Sequence, residues 1–355
     1  MTGSSFGKIL KLSTWGESHG PSIGCIIDGV PAGIKILKED IQEFLHRRRP
    51  GQSKFTTQRK EPDDVEILSG MFNDFTTGTP ISLIIKNIDT KSKDYSNIAE
   101  SFRPGHADYT YQEKFGIRDF RGGGRASARE TAMRVAGGAI ARKILGNKVK
   151  IFGGLVQLGE KKINYKKCDW KNVDNPFFCP DPTSLSDWEQ YLLSIRKKGS
   201  SIGAIIEIRV KGVPVGLGEP IFDKIDALIA QSIMSIPAVK GVEIGNGFES
   251  ASLNGEDNSD EIFSKNGVVS FKSNNSGGTL GGITSGQDLI VRFAVKPTSS
   301  ISINQSSIDK NKKNIKIQTK GRHDPCVGIR AVPIGEAMIA LVLADCLLIN
   351  RTRNI

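Results

Sequence analysis

Residues 124–145 read GRASARETAMRVAGGAIARKIL, and the pattern of small residues there decides how the chain must be arranged. Ala132, Ala136, Gly137, Gly138 and Ala139 fall within one helical stretch. With so little side-chain bulk the stretch is predicted to pack close against a neighbour, because interaxial distance follows the side chains at the contact. A second long apolar stretch, 321–348, reads GRHDPCVGIRAVPIGEAMIALVLADCLL. Proline lacks the N–H that a helix interior needs, so helix is expected there only from about Pro333. Both stretches open with Gly-Arg and a polar residue soon after, Ser127 or Asp324, which is a weak internal echo. Unpaired N–H groups and a partial positive charge at a helix start carrying Arg125 suit an anion. Ser127 reads equally as an N-cap, and Asp324 as a turn residue before Pro325.

Outward from these helices, β-branched apolar runs read as strands: SIGCIIDGV (22–30), VEILSG (65–70), ISLIIKN (81–87), SIGAIIEIRVKG (201–212) and DLIVRFAVK (288–296). Shorter helices are predicted over 37–48, 186–198 and 220–234. The second of these carries Trp188, Tyr191, Leu192 and Ile195 as an i, i+3, i+4, i+7 stripe. No low-complexity linker separates two halves, so residues 1–355 are expected to form a single α/β domain. A chain of 355 residues can bury roughly three quarters of its unfolded surface. The N-terminus lacks an apolar region of secretory type, and no window is read as the roughly 20 apolar residues that span a bilayer. A cytoplasmic protein with no membrane association is expected. Five cysteines, an odd number without a CxxC pair, point to reduced thiols.

The chain carries 49 Lys and Arg against 38 Asp and Glu, a formal charge of +11 that calls for an anionic partner. Nucleic acid is one reading, drawn from Arg47, Arg48 and Arg49 and from the stretch Lys310, Lys312, Lys313, Lys316, Lys320. Aromatic residues are 7% of the chain and absent from both basic runs, so a small polyanion in a cationic pocket is the better reading. The lysine-rich stretch reads as a solvated loop. The candidate anion binders are Arg48, Lys54, Arg103, Arg125, Arg129 and Arg322, arginine being suited to bidentate recognition of carboxylate or phosphate.

Three of the four histidines lie in Gly- or Pro-bent loops with charged neighbours: His19 in GESHG, His106 in FRPGHADY and His323 in KGRHDPC. Imidazole carries protons near neutral pH, and glycine lets a ligand approach the backbone. The three are expected to share one polar site, while His46, beside three arginines, belongs to a solvated face. GGGRAS lacks the Lys-Ser/Thr ending of a phosphate-cradling loop, and no GxGxxG opens a helix after a strand. A metal held by His19, His106, His323 and Asp324 is not expected, because neighbouring guanidinium groups repel a cation.

The blocks GESHGPSIGCIIDGVP, GRASARETAMRVAGGAI and GRHDPCVGIRAVPIGEAM closely resemble the chorismate synthase family. RRRPGQSKFTTQRKEPD, FRPGHADYTY, IPAVKGVEIG, GGTLGGITSGQ and KPTSS fit the same pattern between them. The resemblance implies a single-domain β-α-β sandwich with antiparallel-rich sheets and long helices, assembled as a homotetramer. It also implies anti-1,4-elimination of phosphate from 5-enolpyruvylshikimate 3-phosphate to give chorismate, with reduced FMN required and no net oxidation. No appended reductase region is read, so an external flavin reductase is expected, with NADPH as an indirect reductant.

By the same resemblance, His19 gives a proton to the leaving phosphate, His106 faces the flavin, and Asp324 acts as a base at the flavin. Substrate binding falls to Arg48, Lys54, Arg103, Ser127, Arg129 and Arg322. Flavin binding falls to Arg125, Ala126, Ser127, Pro237, Ala238, Gly281, Lys296, Pro297, Thr298, Ser299, Ser300 and Arg322. Lys54 stands where many relatives carry arginine, and Pro237 leaves only a backbone carbonyl where relatives are often polar. A nucleic-acid-binding protein and a metal-dependent phosphohydrolase remain the alternatives.

Overall fold

The computed structural model describes residues 3–51, 55, 61–89, 98–319 and 324–353. Its helices are α1 (Lys38–Arg48), α2 (Asp108–Phe115), α3 (Thr131–Leu145), α4 (Leu185–Lys197), α5 (Ile225–Met234), α6 (Gly255–Asn258) and α7 (Gly328–Arg351). Two five-stranded sheets flank them. One orders Ser5–Phe6, Lys11–Gly16, Ser22–Asp28, Ile81–Lys86 and Val65–Ile67; the other orders Val239–Ile244, Leu289–Val295, Ala204–Lys211, Lys150–Leu158 and Lys161–Lys162. Strand pairings within both are antiparallel. Each of the strand runs read from the sequence falls on one of these strands.

The layers stack as sheet, α3, α7, sheet, and glycine makes each contact close. A Cβ on Gly138 would stand 2.4 Å from Cβ of Ala337 in α7, so the two helices meet backbone to backbone. On its other side α3 presents Gly137, where a Cβ would stand 2.9 Å from Leu12 Cδ1 of the first sheet. On its own far side α7 presents Gly335, 2.8 Å by the same measure from the Phe293 ring of the second sheet. The predicted close helix contact is therefore α3 against α7, within an α/β sandwich of antiparallel sheets. Glu336, 1% exposed, ties the layers: its carboxylate accepts from Arg47 of α1, Arg142 of α3 and the Gly153 backbone of the second sheet.

Three expectations need correction. The helix begins at Thr131 rather than near Gly124, because 124–126 and 128–130 form separate 3-10 turns after left-handed glycines. Arg125 accordingly does not sit on the first turn of α3. In the tail, α7 starts at Gly328 and runs through Pro333. The lost N–H removes one bond to Ile329, and the buried surroundings keep the helix continuous through it. Finally, α7 is long and apolar enough to cross a membrane by length and composition. It is instead a core helix, with 89% of its most apolar window buried inside the protein. Of the lysine-rich stretch, Lys310, Lys312 and Lys313 lie in the turn of a hairpin between Gln305–Ile308 and Asn314–Ile317, Lys316 lies on its second strand, and Lys320 lies outside the described residues.

Candidate active site

The first turns of α3 and α7 both start at one cavity of about 480 Å³, within the range of roughly 300–1,000 Å³ usual for small-molecule sites. Its lining includes Ser18, Pro50, Arg103, Gly105, His106, Gly122, Ala126, Ser127, Ala128, Arg129, Pro237, Ala238, Lys296, Pro297, Thr298, Ser299, Ser300, Asp324, Val327 and Arg330. Thirteen of the described residues proposed from the sequence as catalytic or binding groups thus fall together with others that the sequence did not single out.

The glycine run decides where the histidines lie. Gly122 has φ +64° and lies so near His19 that a Cβ there would be 2.3 Å from ring atoms Cε1 and Nδ1. Gly123, at φ +88°, stands against His106, its Cβ position 3.0 Å from Cε1 and 3.1 Å from Nε2. Two consecutive residues therefore back onto two histidines that are 87 positions apart by number, 19 and 106. The His19 loop is pinned from both ends: Ser18 N donates to Gly124 O at 3.2 Å, and Asn87 Nδ2 donates to Gly20 O at 2.8 Å. His323, with Lys54 and Arg322, lies outside the described residues.

Beside these rings lie buried cations, each held by a carboxylate. Arg48, fully buried at the end of α1, donates to Asp63 Oδ2 at 2.5 Å, and Arg129 donates to the other oxygen of Asp63. Arg129 also gives Nε–H to Asn87 at 2.9 Å and lies 3.8 Å from Glu61. Burial pushes the Arg48 guanidinium down to about 10, which leaves it charged at neutral pH. Burial also pushes the Asp63 carboxyl up, but Arg48 and Arg129 outweigh it and hold the group below the ordinary carboxylate range. Asp63 adopts φ +52°, a left-handed backbone uncommon for an aspartate, so its place between two guanidinium groups is fixed at a conformational cost.

A second cluster surrounds His106. Asp108, the first residue of α2, accepts from Arg103 at three points: N at 3.0 Å, Nε at 2.8 Å and Nη2 at 2.9 Å. Arg118 Nη1 comes within 3.3 Å of the same carboxylate while its Nη2 donates to the carbonyls of Ile98 and Ser101. Burial opposes ionisation of Asp108, yet the Arg103 and His106 contacts hold it far below the usual carboxylate range. His106 is displaced the other way: burial first, then the nearby Arg103, lower its pKa, and Asp108 recovers only part of the loss. In the third cluster, Arg330 Nη1 donates to Asp324 Oδ2 at 2.9 Å and its Nε to the Arg48 carbonyl at 3.2 Å. Asp63, Asp108 and Asp324 thus balance these buried cations in large part.

Next to the second cluster, Lys296 Nζ donates to Gly105 O at 2.6 Å and Lys296 N to Ala238 O at 2.9 Å. Ala238 has φ +71°, a left-handed conformation at the cavity wall. Thr298 Oγ1 donates to Asp324 O at 3.1 Å, which closes the segment 296–300 onto the start of α7. These features, with Gly105 and Gly122 giving close backbone access, fit a flat anionic cofactor: small walls, a lysine and guanidinium groups. Two of the proposed cofactor residues lie elsewhere. Arg125 turns its Nη2 to the Thr14 carbonyl at 2.6 Å, and Gly281 sits on an exposed hairpin turn whose neighbour Gly282 accepts from Ile225. Among the described residues no group of three or more His, Cys, Asp or Glu side chains is placed to hold a metal ion.

Asp63, Asp108, Arg330 and Asn87 were not singled out as site residues from the sequence. Asp63 and Asn87 meet partners remote in number, as in Arg129 with Asp63, whereas Asp108 lies two residues from His106 and Arg330 six from Asp324.

Comparison with known proteins agrees with the geometry. The chorismate synthase family model matches residues 10–348. A chorismate synthase of Gluconacetobacter diazotrophicus is 58% identical over 354 residues, covering 99% of each chain. That of Acidiphilium cryptum is 59% identical over 355 residues, covering 99% of this chain and 96% of its own. A crystal structure of chorismate synthase superposes with a TM-score of 0.76 at 35% identity, over 97% of this chain and 93% of the other. With its sandwich, its paired histidines and full-length identity to these proteins, the chain belongs to the chorismate synthase family.

Proposed function

We propose that the cavity lined by Gly122 and His106 is where this chain carries out its family's reaction, holding 5-enolpyruvylshikimate 3-phosphate against reduced FMN. The reaction follows from family membership: the chain is a carbon–oxygen lyase of the shikimate pathway that releases phosphate and forms chorismate for aromatic biosynthesis. Reduced FMN, when bound, lends electron density as phosphate departs and recovers it as the ring C–H bond breaks, so it is not consumed.

Every other task falls to side chains of the protein. Arg48 and Arg129, locked by Asp63, and Arg103, locked by Asp108, present fixed donors to a substrate bearing one phosphate and two carboxylates. His19 holds the proton that neutralises charge on the departing phosphate. His106 and Asp324 are the proton-carrying groups nearest the cofactor. Ala126, Ser127, Pro237, Ala238 and the run Lys296, Pro297, Thr298, Ser299, Ser300 wall the cofactor and exclude water. Lys54 and Arg322 join the substrate contacts by resemblance, and Arg125 and Gly281 the cofactor contacts. We place the enzyme in the cytoplasm as a homotetramer, supplied with FMN reduced by an external reductase at the expense of NADPH.

The observation that carries the reading is the contact of His19 and His106 with two successive glycines beside buried guanidinium groups. An anaerobic assay of the purified full chain tests it. Phosphate and chorismate should appear in equal amounts with reduced FMN and not without it. Phosphate released without FMN and abolished by a chelator would overturn the reading.

A further inference from the structure

Asn87, the residue after strand Ile81–Lys86, does not itself line the cavity, yet its side chain joins two groups of the site. Its Nδ2 donates to Glu17 O at 3.1 Å and to Gly20 O at 2.8 Å, the first and last carbonyls of the turn that carries His19. Gly20 N closes that turn by donating to Glu17 O at 3.2 Å. On the other side of the amide, Oδ1 accepts from Arg129 Nε at 2.9 Å. An amide nitrogen carries two N–H donors and the amide oxygen only accepts, so two carbonyls and one guanidinium fix which way the group faces. Turned over, it would set oxygen against two carbonyl oxygens and N–H against N–H.

The clamp is held in its own place. Asn87 N donates to Pro21 O at 3.0 Å, and the next two backbone N–H groups, of Ile88 and Asp89, donate to the buried Glu61 carboxylate at 3.1 and 3.3 Å. Arg129, which lines the cavity, is tied at Nη1 to Asp63 and at Nε to Asn87, so the plane of its guanidinium is set. Its Nη2, 3.8 Å from Glu61, makes no hydrogen bond among the described residues. We propose that Asn87 is a positioning residue whose amide holds the His19 turn and the Arg129 guanidinium in one arrangement, so that a proton from His19 reaches the anion that Arg129 receives. The inference rests on the reading of this cavity as the reaction site. An ionised aspartate could not serve both sides, since it accepts from Arg129 but has no N–H for the two carbonyls.

Asn87→Asp in the full-length protein tests this, because it keeps the shape and the acceptor for Arg129 and removes only the donors to the His19 turn. It should lower kcat by about 10-fold or more and leave KM for the substrate within about threefold of the parent value. Asn87→Ala, which also frees Arg129 Nε, should lower kcat similarly and raise KM by more than about threefold. In a His19→Ala background, Asn87→Asp should cost less than about threefold further, because residues that act through one another are not additive. Histidine ¹⁵N spectra of the ligand-free protein, with His19 assigned by its loss in His19→Ala, should show the His19 ring signals displaced in Asn87→Asp and those of His106 unmoved. A parental kcat in Asn87→Asp, an equal penalty with and without His19, or an unchanged His19 ring spectrum overturns the proposal. Should Asn87→Asp not fold, Asn87→Ala carries the same cycle and the same spectra. Displaced His19 signals beside a parent protein that forms no chorismate with reduced FMN would refute the site reading and leave the positioning of His19 by Asn87 standing.

Discussion

Gly122 and His19 touch backbone to ring, with the Cβ position of the glycine 2.3 Å from both Cε1 and Nδ1 of the imidazole. No side chain larger than hydrogen fits there, and φ +64° disfavours one in any case. Gly122→Ala should therefore displace His19 and lower kcat by about 10-fold or more, since misplacement by an ångström is costly. The melting temperature should change far less than in a core substitution. Steady-state kinetics beside thermal unfolding checks this, and a variant with parental kcat contradicts it.

Removal of the imidazoles themselves should separate chemistry from binding. His19→Ala and His106→Ala are expected to lower kcat by about 10²-fold to 10⁴-fold while KM for the substrate changes little. Full activity in both would end the assignment of proton-carrying roles.

Asp63 bridges Arg48 and Arg129 where all three are nearly or fully buried. Taking away one member of such a group leaves buried charge unpaired, which costs about 3–5 kcal/mol. Asp63→Ala should lower the urea midpoint accordingly, and added phosphate should recover part of the loss by occupying the guanidinium groups. A midpoint equal to that of the parent would count against the pairing.

Acid should destabilise the fold in two stages. His106 has a lowered pKa in the folded chain, so the unfolded chain takes up its proton first as pH drops below about 6.5. Stability is complete above that value and declines until the pH passes the lowered one. Asp63 and Asp108 also have lowered values, so their contribution is complete above about pH 4 and is lost as pH falls through the lowered values. Urea midpoints measured across this range should fall in both windows, and His106→Asn should remove the upper one.

The cysteines should differ in reactivity by burial. Burial pushes the thiols of Cys179, Cys326 and Cys346 up to about 12 and that of Cys25 higher still, whereas Cys168 is only partly buried. Alkylation of native protein at mildly basic pH, followed by mass spectrometry, should therefore mark Cys168 first. Early labelling of Cys326 would contradict the packing around the start of α7.

Much of this architecture was legible in the sequence, and the exceptions have physical causes. Runs such as 81–87 and 288–296 read as strands because β-branched residues repeat without interruption. Lys150–Leu158 went unread because Gly153 and Gly154 break that pattern. The sheet needs them: a Cβ on Gly153 would meet Ile208, Val332 and Glu336 within 2.9 Å, and one on Gly154 would meet Pro180 at 3.0 Å. The histidines, cations and cofactor-wall residues were visible as loop motifs. Asp63 and Arg330 were not, because their meaning lies in partners brought near only by the fold, such as Arg129 and the Arg48 carbonyl.

The contact of Gly138 with Ala337 has one more consequence. The two residues lie seven and nine positions into α3 and α7, or roughly 10 and 13 Å along helices that rise about 1.5 Å per residue. Both helices begin at the cavity and stay in touch a similar way in, so their axes run side by side and their peptide dipoles add. Each positive end is worth about half an elementary charge. The backbone alone thus supplies an attraction for anions that no titration can switch off and no exchange of a single arginine can erase.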